Sequence, residues 1–242
     1  MNKNVILIKK NLFISLIMGI LFSNQLLASE RPLISEAEFQ AIKACIRAED
    51  TDWEQITNFC KHIGVNQTDS TGRTILHYAA RYDKASIVER LIKKHGARIN
   101  IPDLQAWTPL HIASREGYAT VVEELLRNGA DVNQITERGS TPMHLAAWTY
   151  NIEILNALLH KGAKINAVDR FLSTPLDIVR RNFDRTPIPP SITAAKDRAA
   201  RFLQDHGATE GTLETRLAEY KKQYPMLLVL TWIDPKLHNN TR

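Results

Sequence analysis

Thr141-Pro142-Met143-His144-Leu145-Ala146-Ala147 decides the fold, because variants of it stand at a near-constant distance on either side. Upstream come Thr108-Pro109-Leu110-His111-Ile112-Ala113-Ser114 and Thr74-Ile75-Leu76-His77-Tyr78-Ala79-Ala80, and downstream Thr174-Pro175-Leu176-Asp177-Ile178-Val179-Arg180. The four threonines are spaced by 34, 33 and 33 residues. A Thr hydroxyl can take up an open backbone N–H in the first turn of a helix, and Pro in the next position has the φ a helix needs and no N–H to waste. Each Thr-Pro pair therefore predicts a helix start. Leu76, Leu110, Met143 and Leu176 are expected to point into a core, and Ala79, Ala113 and Ala146 to let neighbouring helices approach closely.

A second helix follows each first one. Val88 and Leu91-Ile92, Val122 and Leu125-Leu126, and Leu155 and Leu158-Leu159 recur at the spacing of an apolar helix face. Each run ends in basic residues and then Gly-Ala at 96–97, 129–130, 162–163 and 207–208, the chemistry of a helix C-terminus. A third column, Val65-Asn66, Ile99-Asn100, Val132-Asn133 and Ile165-Asn166, keeps the same period. Together these columns resemble the ankyrin repeat, whose signature is a Thr-Pro-Leu-His-x-Ala run about every 33 residues. The resemblance implies an all-α repeat solenoid, an ankyrin-repeat stack of antiparallel helix pairs joined by β-hairpin-like loops. It places repeats at 71–100, 105–134, 138–167 and, degenerate, 171–209. A capping helix pair is expected at 33–66 and a C-terminal helix with an apolar tail at 211–242.

His77, His111 and His144 invite a metal-site reading. Stacked helices lie about 8–10 Å apart, however, too far for one ion with bonds near 2 Å. The resemblance implies instead that each His bonds its own Thr turn and the neighbouring loop.

Four departures from the pattern carry expectations of their own. Ile75 replaces Pro in the first repeat, and Asp177 replaces His in the fourth. The turn between paired helices reads Asp83, Gly117, Tyr150 and Phe183; Tyr150 and Phe183 resist φ > 0, so those turns are expected to take another shape. The distance from Thr to the closing Gly grows from 21 to 33 residues in the fourth unit, around Asp184 to Ala195. The stretch Thr186-Pro187-Ile188-Pro189-Pro190-Ser191 reads there as a non-helical inserted loop.

Outside the repeats, residues 1–28 have the three parts of an export signal. These are a basic start with Lys9 and Lys10, an apolar run from Leu12 to Phe22 and an exit at Leu26-Leu27-Ala28-Ser29. The run is shorter than the roughly 20 residues a bilayer needs, and an anchor helix reaching back to Val5 would contain both lysines. Ser29 stands where a lipid-attachment site has Cys. Cleavage near Ala28, a periplasmic or secreted destination and no stable membrane insertion are expected. Three of the 31 basic residues lie in this signal, leaving a near balance against 26 acidic ones and no field that favours nucleic acid. Cys45 and Cys60 admit two readings: a disulfide between antiparallel helices at an awkward offset of roughly 6 Å along their axes, or two core thiols. The apolar tail Met226 to Ile233 either folds back as a cap or docks a partner.

No nucleophile–base set, phosphate loop or zinc spacing is present, so neither catalysis nor a cofactor is expected. The resemblance implies binding of another protein, by a monomer, through loop tips and the exposed side of the first helices. The loop-tip positions include Arg73, Leu104, Trp107, Arg138, Arg170 and Phe171. The first helices add Arg81, Tyr82, Arg115, Trp148 and Arg181. Arg and large aromatics are the residues enriched at binding hot spots. Packing of Trp107 and Trp148 between loops is the competing reading. Two roles fit: a secreted bacterial factor acting on a host protein, or a periplasmic protein that protects or assembles envelope components.

Overall fold

The computed structural model describes residues 36–48, 53–181 and 189–223. The export signal, Phe183, the first residues of the proline-rich stretch and the tail 226–233 lie outside them. Two compact units divide the chain between Phe39 and Gln40, and every repeat belongs to the second.

Helix α1 spans Glu36–Arg47 and α2 Trp53–Phe59, the latter running into a π-helical turn at Cys60–Gly64. The repeats supply α3 (Ile75–Arg81) and α4 (Ala85–His95), α5 (Pro109–Glu116) and α6 (Ala119–Arg127), and α7 (Pro142–Thr149) and α8 (Ile152–His160). The fourth unit gives α9 (Pro175–Arg180) and α10 (Pro190–Asp205), followed by α11 (Leu213–Gln223). No strand is formed among the described residues; the loops between repeats are turns.

The stack follows from which faces are apolar. First helices α3, α5, α7 and α9 pack in sequence, as do second helices α4, α6, α8 and α10, and each helix also packs on its mate. Leu76, Leu110, Met143 and Leu176 are buried, and Ala79, Ala113 and Ala146 are fully enclosed at the contacts between first helices. Val88, Leu91, Val122, Leu125, Leu155 and Leu158 fill the second layer. Each such Leu contributes about 1.5–3 kcal/mol by leaving water.

Caps set both ends of the helices. Thr74, Thr108, Thr141 and Thr174 are extended N-caps, each in a reciprocal capping box with the residue three further on. Ile75 in place of Pro leaves α3 intact for that reason. Beyond the second helices, Gly96, Gly129, Gly162 and Gly207 turn left-handed, with φ from 68° to 93°. The Asn column then ties each repeat to the next. Asn66, Asn100, Asn133 and Asn166 accept the backbone N–H of Arg98, Asp131, Lys164 and Thr209 through Oδ1 at 2.7–3.0 Å. Asn133 and Asn166 also donate to the carbonyls of Gly162 and Gly207.

Two expectations are corrected. Tyr150 does adopt a left-handed conformation, at φ 55° and ψ 22°, as does Asp83 at φ 55°. The two-residue gap between α7 and α8 closes in this way with both helices packed against their neighbours, so tertiary contact overrides the side chain's preference. Pro190 and Ser191 are helical, because Pro at the first position loses no bond that the helix could have made. The extra length of the fourth unit is thus partly helix: α10 has 16 residues against 9 for α8. Of the two readings left open for Cys45 and Cys60, the structure has the separate thiols. Cys60 begins the π-helical turn, so the straight-helix register behind the bridge does not hold there. Burial pushes the Cys60 thiol up to about 11.

The leading helices close one end. Ile42, Ile46, Ile56 and Phe59 are buried, while Trp53 stays half-exposed with the Arg90 guanidinium 4.0 Å over its ring. Lys43 meets Asp69 at 3.1 Å and Lys84 donates to the Ala48 carbonyl at 2.8 Å. Partial burial pushes the Asp69 carboxyl up, but the Tyr78 hydroxyl, the Thr71 and Arg73 donors and Lys43 hold it well below the usual carboxylate range. At the other end, α11 docks through Arg216 and Asp177 at 2.8 Å, and Arg180 pairs with Glu210. The Asp that replaces His thereby acquires a reason. It accepts the Thr174 N–H at 2.8 Å as a histidine would, and its other oxygen holds the closing helix.

Candidate functional site: an aromatic and basic groove

The histidine column orders the loops on which the site is built. His77, His111 and His144 accept their own Thr N–H through Nδ1 at 3.0–3.1 Å. Since a backbone N–H can only donate, Nδ1 is unprotonated and Nε2–H is the donor. It reaches the carbonyls of Trp107, Gln134 and Ser173 at 3.0–3.1 Å. Burial holds His77 and His111 down at about 4 and lowers His144 likewise, against the upward pull of those carbonyls. No group of ligating side chains suited to a metal ion is formed among the described residues.

Each loop is closed from within. Asp103 Oδ1 accepts from Gln105 N and Trp107 N, and Asp169 Oδ1 from Phe171 N and Ser173 N, all at 2.9 Å. Thr136 does the same for Ser140 at 3.2 Å. These are Asx- and ST-type turns, in which a short polar side chain replaces a backbone partner. Successive tips are then tied edge to edge, Leu104 N to Thr71 O, Glu137 N to Gln105 O and Arg170 N to Arg138 O, at 2.9–3.1 Å. The tips consequently stand in register, and what they carry is held in a row.

That row meets the exposed side of the first helices in a groove of about 280 Å³. Trp107, Leu145, Trp148, Phe171 and Ile178 supply its apolar surface, and Arg115, Arg138 and Arg181 its charge. Trp107 is half-buried, its ring 6.2 Å from that of His111, with the Arg115 guanidinium 5.7 Å from its centroid. Trp148 is 44% exposed and Phe171 67%. Arg181 donates to the Ser173 hydroxyl at 2.7 Å, which steers it along the rim.

Of the residues expected from sequence to meet a partner, Trp107, Arg115, Arg138, Trp148, Phe171 and Arg181 come together here. Leu104 and Arg170 are exposed on the loop tips outside the groove, and Arg81 is exposed beyond it. Tyr82 lies elsewhere, stacked on Tyr78 at 6.3 Å and facing Lys43 and Arg47 across a separate hollow. Arg73 does not line the groove. Its Nε donates to Asp103 Oδ2 at 3.0 Å, clasping the first repeat loop to the second. Packing and exposure divide the tryptophans, Trp107 serving the first more than Trp148.

Leu145, Ile178 and Asp169 also line the groove, beyond the residues expected from sequence. The signal was present. The position after each His, or after Asp177 in the fourth repeat, reads Tyr78, Ile112, Leu145 and Ile178, always large and apolar. The first two are buried and the last two half-exposed, so burial alone distinguishes floor from core.

Comparison with known proteins gives one family and several partial relatives. A family profile described as ankyrin repeats (3 copies) matches residues 42–136 and 103–169, more than half of the chain. The chain is 46% identical over 65 residues to neurogenic locus notch homolog protein 1 of Xenopus tropicalis, covering 27% of this chain and 2% of that protein. It is 37% identical over 75 residues to a glycerophosphocholine phosphodiesterase of Schizosaccharomyces pombe, covering 31% and 6%. It is 37% identical over 62 residues to ankyrin repeat domain-containing protein 49 of Bos taurus, covering 26% of each. The similarity thus spans a small part of each relative.

Proposed function

Because this chain belongs to the ankyrin-repeat family, we propose that it is a non-enzymatic binding module whose partner, another protein, is held in the groove between the loop tips and the first helices. The observation that carries this reading is the convergence of Trp107, Trp148 and Phe171 with three arginines on one face. Solvent alone gives no reason to set such residues side by side, whereas aromatic and Arg anchors dominate the energetics of protein interfaces. The phosphodiesterase activity named for one relative is not carried over, since the shared segment is 6% of that protein.

Export completes the proposal. The basic, apolar and small-residue succession over residues 1–28 supports cleavage near Ala28 and a role outside the cytoplasm, as a secreted factor acting on a host protein. The test is affinity capture with the full chain and with Trp148→Ala, combined with fractionation of the producing cell. The partner is expected to be lost from the variant while its melting temperature stays within about 2 °C of the parent, since an exposed side chain contributes little to folding. Equal capture by both proteins would sink the groove as the site. A precursor found only in the cytoplasm would sink the export reading.

A further inference from the structure

We infer that the groove takes a peptide segment in which an aromatic or branched apolar side chain is flanked by carboxylates. This deepens the reading of the groove as the protein-binding site and rests on it. Floor and rim make different demands. Trp107, Leu145 and Trp148 bound a hollow of about 280 Å³, at the small end of pockets that take whole small molecules. Such a hollow accommodates a side chain or two borne on a backbone that continues past it. Around it stand Arg115, Arg138 and Arg181, all exposed.

Asp169 is the single carboxylate among the described residues of the lining, and it is 4% exposed with Oδ1 engaged by two loop N–H groups. The rim therefore presents net positive charge to whatever enters. A guanidinium accepts a carboxylate in a planar, two-bond pairing, and a lysine-flanked segment would instead meet like charge. A polyphosphate backbone is the poorer match, because the near balance of charge outside residues 1–28 offers no extended basic track.

The test pans the full chain against a phage-displayed library of random dodecapeptides. Fluorescent peptides of the enriched consensus are then titrated into the parent, Trp148→Ala and the Arg115→Glu/Arg138→Glu double variant, each first shown by circular dichroism to melt like the parent. Fluorescent oligothymidylate is titrated in parallel. The expected consensus joins an aromatic or Leu to at least two Asp or Glu residues. Its affinity should fall roughly tenfold or more in each variant and weaken with salt. Replacing its acids by Lys should restore binding to the charge-reversed protein. A neutral or basic consensus, tighter binding to oligothymidylate, or no enrichment overturns the inference. A neutral or basic consensus that still depends on Trp148 leaves the groove as the site and removes only its acidic preference, whereas indifference to Trp148→Ala removes the groove itself.

Discussion

Ala106 and Leu172 occupy the loop-tip column that Gly72 and Gly139 occupy in the other repeats, and all four have φ between 56° and 79°. A side chain in that region is strained by about 1–2 kcal/mol, which Gly escapes at the cost of a more flexible unfolded chain. Ala106→Gly is therefore expected to raise stability by up to about 1 kcal/mol in urea denaturation. Gly72→Ala should lower it by more than that, because an added Cβ would sit 2.8 Å from the backbone nitrogen of Leu104 in the next loop. Arg73 makes a second residue-scale case. Its ion pair with Asp103, whose side chain is 2% exposed, predicts that Arg73→Ala costs about 1–3 kcal/mol by taking the cation from the buried Oδ2 while Oδ1 keeps its two loop N–H donors. Peptide binding in the groove should be unchanged. Sequence marked Arg73 as one more arginine on the binding strip; its length and the position of Asp103 in the next loop, rather than its residue type, turn it inward.

Between repeats, the Asn column is the element that sequence showed without explaining. Asn133 bridges two loops through Lys164 N and Gly162 O, at 2.9 and 3.0 Å. Asn133→Ala should cost about 1–2 kcal/mol, with hydrogen exchange at the Lys164 amide accelerating before that of the helices on either side. Unchanged exchange there would show the bridge to be idle. Helix starts were legible because Thr, Pro and the third-following residue act on one turn only. The turn at Tyr150 was not, since what holds its backbone left-handed is the packing of α7 and α8 on their neighbours. The start of α10 at Pro190 escaped for a related reason: Pro forbids the interior of a helix and suits its first position, and a sequence window does not separate the two.

Across the whole molecule, three buried neutral histidines make the stack sensitive to acid. A ring whose folded value lies near 4, below the ordinary 6.5, takes up a proton more readily when unfolded. The stability it supports is complete above about pH 6.5 and is lost as pH falls toward 4. Denaturation midpoints should therefore decline steadily through that window, and His111→Asp, which mimics the Thr174–Asp177 cap, should flatten the decline even as it lowers stability at neutral pH. An identical acid profile in that variant would place the sensitivity elsewhere. The repeat period, the caps, the core columns and the aromatic and basic strip could all be read along the chain, because each depends on residues within a turn or recurs at a set interval. Which of those strip residues line the groove could not. Arg73 and Tyr82 are drawn away and Leu145 and Ile178 are brought in by how far each successive loop and helix covers its neighbour, a quantity that exists only once the repeats have stacked.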